Sequence, residues 1–91
     1  MKAIVSVIGK DTKGIIAKVS GCLFDMDINV EDISQTIMQG HFTMIMVVCL
    51  DETKLKYEEI SKRLNKLASS INVEIRIQLE EIFNSMHKIW G

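Results

Sequence analysis

The residues best suited to chemistry lie where an apolar run meets a second apolar run of different spacing: Gly9-Lys10-Asp11-Thr12-Lys13-Gly14, followed by Ile15. A glycine-bracketed loop that opens a helix offers unpaired backbone N–H groups and the positive end of the helix dipole. The ligand that suits such a loop is a carboxylate or a phosphate, and glycine lets it approach the main chain closely. A simpler reading uses the same residues. Gly9 and Gly14 then only permit a tight strand-to-helix turn, with Asp11 or Thr12 as the N-cap.

Other reactive side chains do not converge. Cys22 and Cys49 have no CxxC or Cys–His spacing and read as small core residues. His41 falls at a turn and His87 in the tail, both as surface positions. Glu58-Glu59 and Glu80-Glu81 are adjacent pairs, which diverge by about 100° on a helix and so read as solvated faces. Met38, Met44 and Met46 read as adaptable core filler. With no nucleophile–base pair and no metal-ligand spacing, we expect a protein that is not an enzyme, with no catalytic residue, no metal and no cofactor.

Charge narrows the partners. Eleven basic residues are scattered among twelve acidic ones for a net charge of −1. A nucleic-acid binder would carry a basic stripe, so nucleic acid is not an expected partner. The apolar run Ala3 to Ile8 is too short for a signal-peptide core, and no stretch reaches membrane-spanning length. A cytoplasmic protein that makes no use of a membrane is expected.

The elements that must position the loop follow from periodicity. Residues 2–8 alternate as a strand with both faces apolar, and Gly14 to Met26 takes helical spacing with Ile15, Val19, Cys22, Leu23 and Met26 on one stripe. Ile28 to Gln39 is extended and half polar, which marks an edge strand. Gly40-His41 signals a hairpin into Phe42 to Leu50, again apolar on both faces. Asp51 or Thr53 can cap the next helix, in which Tyr57, Ile60, Leu64, Leu67 and Ile71 face the core. Residues 72–79 alternate as a second edge strand.

This order predicts an α+β fold: a ferredoxin-like βαββαβ sandwich with antiparallel sheet order 4-1-3-2 and both helices on one face. Residues 1–80 form the domain. The other sheet face, carrying Ile4, Ile8 and alternate residues of the third strand, needs a cover. Residues 81–91 read as an extra C-terminal helix of the same domain, with Ile82, Phe83, Met86, Ile89 and Trp90 as its stripe. The cover is that tail, a second copy of the chain, or both together.

Three functions carried by this fold lack their residues here. An RNA-recognition module needs aromatic residues on the central strands, and only Phe42 is present. A metallochaperone needs CxxC in the first loop, and an acylphosphatase-like enzyme needs an arginine there.

The stretch from Gly9 to Ala17, with Asn29 fifteen residues after Gly14 in the turn Asp27-Ile28-Asn29-Val30, resembles the ACT-domain family over residues 1–80. The version is similar to that of the glycine-cleavage repressor and of formyltetrahydrofolate deformylases, here standing alone as in single-domain bacterial members. The resemblance implies a non-catalytic regulatory module that binds an amino acid at a homodimer interface, between the first loop of one copy and the second strand of the other. Carried over by position, Gly9, Lys10, Asp11, Thr12, Lys13, Gly14 and Ile15 would hold the ligand carboxylate, with Asp11 available to the ammonium. Asn29 and Val30 would take its polar part, a buried amide at Asn29 offering donors and an acceptor together. Lys10 and Lys13 depart from the family's frequent Arg-Pro pairing. The alternative is a protein–protein interaction module that docks on an enzyme or regulator without binding a metabolite.

Overall fold

Strands apolar on both faces belong inside a sheet and half-polar strands at its edges, and the chain is arranged that way. The computed structural model describes residues 1–10 and 13–80. Its elements are β1 (Lys2–Lys10), α1 (Ile15–Asp25), β2 (Asn29–Met38), β3 (His41–Cys49), α2 (Tyr57–Ile71) and β4 (Val73–Leu79). The sheet order is β2-β3-β1-β4 with every pair antiparallel, which is the expected 4-1-3-2 order and the ferredoxin-like fold.

The core lies between the helices and one sheet face. Val5, Val7, Met44, Met46 and Val48 are fully buried there against Val19 and Leu23 of α1 and Ile60 and Leu64 of α2. Met44 and Met46 fill the core as expected, whereas Met38 is exposed at the strand end. Cys22 and Cys49 are half-buried free thiols; Cys22 packs against the core from its margin, and Cys49 stands outside it. Tyr57 lies at the surface instead of in the core: it is 42% exposed, and its hydroxyl donates to the Ile77 carbonyl at 2.6 Å. Ala68 takes a buried place on the α2 stripe.

Three local features differ from the sequence reading. The hairpin turn is Gln39-Gly40, both at positive φ, and His41 is already the first residue of β3. A two-residue hairpin with two positive φ angles matches the twist of its strands, and Gly40 supplies one of them without strain. Neither Asp51 nor Thr53 caps α2. The cap position is Lys56 with no side-chain bond, Thr53 accepts from the Leu55 amide instead, and Asp51 pairs with the Met1 ammonium. Between Val30 and Asp32 the register with β3 shifts, so Glu31 bulges and its carboxylate meets Lys2 at 3.0 Å. The bulge resets the alternation, so that Ile33, Gln35 and Ile37 sit opposite Met46, Met44 and Phe42 on the helix side, as Val30 does opposite Val48.

Candidate functional site

The loop between β1 and α1 is shaped by two glycines with different tasks. Gly9 pairs with Phe42 on one side and Val73 on the other. A Cβ there would lie 2.8 Å from Val73 Cγ1 and 3.2 Å from its Cα. Gly9 therefore answers to the close approach of β4, a need that leaves no room for a side chain there. Gly14 stands at the N-cap of α1 with φ +82°, and its carbonyl accepts the Lys18 amide at 2.9 Å. The expected cap by Asp11 or Thr12 is thus corrected: the cap residue is Gly14, which has no side chain to bond the first turn. The left-handed backbone explains the choice, since glycine adopts it freely. Asp11 and Thr12 lie outside the described residues.

The first turn of α1 borders a trough of about 590 Å³ between α1 and the second half of β2. Gly14, Ile16 and Ser20 line one side, Gln35 and Ile37 the other, with Ile15 and Phe42 beneath. Ile15 is buried in the core, so what it can present is its backbone. Lys10 and Lys13 are exposed beside the opening. The trough is apolar with two polar side chains, and it opens next to the first-turn amides of α1. Such a surface suits a small molecule with an anionic end and an apolar body.

Asn29 and Val30 are not at this site within one chain. Asn29 pairs with Cys49, which pairs with Lys2, while the loop follows Lys10 at the other end of β1. Ile37 lies eight positions beyond Asn29 along the strand, roughly 26 Å at the usual rise. Asn29 is exposed in the single chain. Nothing in the sequence pattern marks Ser20, Gln35 and Ile37 as site residues, yet all three line the trough. Only the pairing of β2 with β3 in its bulged register brings Gln35 and Ile37 over against the helix start.

Elsewhere, among the described residues, four surface ion pairs join Met1 to Asp51, Lys2 to Glu31, Arg63 to Glu59 and Arg76 to Glu74. The Asp51 carboxyl is held below its usual range by hydrogen bonds from the Met1 ammonium and Cys49, and Glu31 raises Lys2 by a hydrogen bond and its charge. Among the described residues no group of three His, Cys, Asp or Glu side chains could hold a metal, and no helix is long and apolar enough to cross a membrane.

The fold and this strand-to-helix loop define a class of α+β modules in which two helices lie on one face of a four-stranded antiparallel sheet. A sequence profile of the ACT domain matches residues 2–78, and the chain belongs to that family. It is 45% identical over 89 residues to the UPF0237 protein lin0537 of Listeria innocua, covering 98% of this chain and all of that one. The ACT domain protein from Streptococcus pneumoniae superposes with a TM-score of 0.81 at 42% identity, covering 91% and 93% of the two chains. A formyltetrahydrofolate deformylase from Pseudomonas putida KT2440 shares the fold with a TM-score of 0.77 at 11% identity, over 86% of this chain and 28% of that one. ACT domains are in general regulatory modules that bind small ligands.

Proposed function

We propose that the chain is a non-catalytic, cytoplasmic regulatory module that binds an amino acid at a homodimer interface, needing no cofactor. The ligand carboxylate meets the amides of the loop from Gly9 through Lys10, Asp11, Thr12, Lys13 and Gly14 to Ile15, and Asn29 and Val30 of a second copy close the site.

One observation carries this reading: the outer edge of β2, which pairs with no strand among the described residues, runs from Asn29 to the lip of the trough. An unpaired strand edge is a template for another strand. When a second copy adds along it about a two-fold axis, the strands are antiparallel and its Asn29 comes to the Met38 end. That amide then stands one strand spacing, about 4.8 Å, from the β2 end that lines the trough. The two halves that lie apart in one chain meet across two chains. Apolar side chains support this edge as the contact: Ile33 and Ile37 of β2 are exposed, as are Ile16 and Phe24 of α1.

Light scattering and a thermal-shift screen of the amino acids test the proposal together. The chain is expected to be a dimer that Ile37→Lys dissociates, because two lysines replace apolar contact at a two-fold interface. One amino acid at 100 times its dissociation constant adds roughly 2.7 kcal/mol of stability, and Asn29→Ala removes that gain. A monomer that no amino acid stabilises refutes it. The second reading, docking on an enzyme or regulator without a metabolite, draws on Phe24, which is 78% exposed on α1. It predicts no stabilisation by any amino acid and loss of partner binding in Phe24→Ser.

A further inference from the structure

We infer that the trough takes an amino acid whose side chain is apolar, and that Ile16, Ala17 and Ile37 select it; this rests on the amino-acid reading above. The helix side of the sheet is closed over its central strands, where Val5, Val7, Met44 and Met46 are fully buried. β2 is the exception. Ile37 sits on the same side opposite Phe42, yet it is 55% exposed, and Ile16 across the trough is 38% exposed. The first turn of α1 thus does not close over this end of β2. Two isoleucines are left facing a space of about 590 Å³, within the roughly 300–1,000 Å³ of small-molecule sites. A second copy paired along β2 lies in the plane of the sheet and does not fill a space above it.

The lining is ordered along the trough. Ile37 pairs with Phe42, which pairs with Gly9 at the loop, whereas Gln35 pairs with Met44 two rows away. On the helix side Gly14 opens the first turn, and Ser20 comes six residues later, about 9 Å along the axis. A carboxylate held at the first-turn amides therefore sends its side chain between Ile16 and Ile37 before it reaches Ser20 and Gln35. Under the proposed pairing Val30 of the second copy adds a further apolar group. Among the described residues no charged side chain lines the trough. Lys10 and Lys13 stand at its opening, where they suit the carboxylate. The side chain of aspartate or glutamate would lose its water against Ile16 and Ile37 with no cation to replace it. Lysine or arginine would bring its charge to the neutral Ser20 and Gln35. Leucine and methionine carry neither penalty. Ala17, small and exposed beside Ile16, leaves the width such a side chain needs. These walls belong to α1, β2 and β3, whereas the tail helix expected over residues 81–91 lies outside the described residues.

Calorimetric titration of the full chain with leucine, methionine, alanine, serine, glutamine, glutamate and lysine tests this. Leucine or methionine is expected to bind tightest. Each methylene taken out of water adds about fourfold in affinity, so leucine, three carbons larger, should exceed alanine by roughly 60-fold. Ala17→Leu, at an exposed helical position where leucine is a good helix former, fills the trough and should bring that ratio toward one while alanine still binds. Should Ala17→Leu not fold, Ile16→Ser carries the same test, because it puts a hydroxyl where the ligand needs carbon and lowers the same ratio. Tightest binding of serine, glutamine, glutamate or lysine overturns the inference and leaves the amino-acid reading standing. So do folded variants with an unchanged leucine-to-alanine ratio, which would put the side chain outside the trough. A chain that binds no amino acid at all refutes both.

Discussion

Replacing Gly14 separates folding from binding in the loop. Its φ of +82° is left-handed, and a Cβ there would meet nothing nearer than Lys18 Cε at 3.8 Å, an ordinary contact. The cost of Gly14→Ala is therefore conformational and not steric, about 1–2 kcal/mol for an L-residue in that region. In a domain of this size about 1 kcal/mol lowers Tm by roughly 4–8 °C. Asparagine tolerates left-handed backbone and caps helices, so Gly14→Asn should recover most of the loss. Urea denaturation reads both variants, with a lowered midpoint and an unchanged m-value expected for Gly14→Ala. A neutral Gly14→Ala, or a Gly14→Asn as damaging as alanine, refutes the conformational account. Binding moves the other way, because the asparagine side chain stands at the rim of the trough. The amino-acid thermal shift should thus shrink in Gly14→Asn although the protein is nearly as stable as the parent.

Two further variants probe what the glycine and the thiol do. Gly9→Ala drives a methyl group against Val73, whose Cα would be 3.2 Å away, so a loss of about 1–3 kcal/mol is expected with faster amide exchange along β4; a neutral result would show that β4 yields. Burial, reinforced by Asp25 and opposed by Arg63, raises the Cys22 thiol above its ordinary value of 9.0. The folded chain keeps a proton that the unfolded chain gives up, so this contribution to stability is intact below pH 9.0 and is lost as pH rises through the folded value. Cys22→Ala should flatten the alkaline limb of the stability curve, and Cys22 should be alkylated slowly at neutral pH until urea is added; an unchanged limb contradicts the assignment.

Strand order and layer were legible because burial is written into both faces of a strand. β1 and β3 are apolar on either side and lie inside, and the clean alternation of Val73 to Leu79 marks an edge. Helix starts were not legible in the same way. Asp11, Thr12, Asp51 and Thr53 are all competent caps by type, yet α1 begins at a left-handed glycine and α2 at Lys56 with no side-chain bond. Such choices turn on the path of the incoming chain, which the local sequence does not specify. The bulge at Glu31 hid more. A period of two carried through it sends Val30 and Ile33 to opposite faces, and with that error Gln35 and Ile37 turn away from α1. The candidate loop could be found from glycine spacing, but the wall it faces depended on one extra residue in an edge strand.

That wall also determines what regulation would mean for this chain under the proposed arrangement. Each ligand touches the loop of one copy and β2 of the other, and a two-fold axis makes two such sites. Ligand affinity and dimer stability are then one linked equilibrium, since whatever binds only the dimer draws monomers into it. The linkage is reciprocal: apparent affinity for the amino acid rises with protein concentration until the dimer is saturated, and falls in any variant that weakens the β2 edge. The ligand can shift the equilibrium by no more than its difference in affinity between the two states. A variant such as Ile37→Lys, altered on the trough wall and at the contact alike, should lose both together. One altered at Phe24, which does not line the trough, should weaken amino-acid binding only as far as it weakens the dimer.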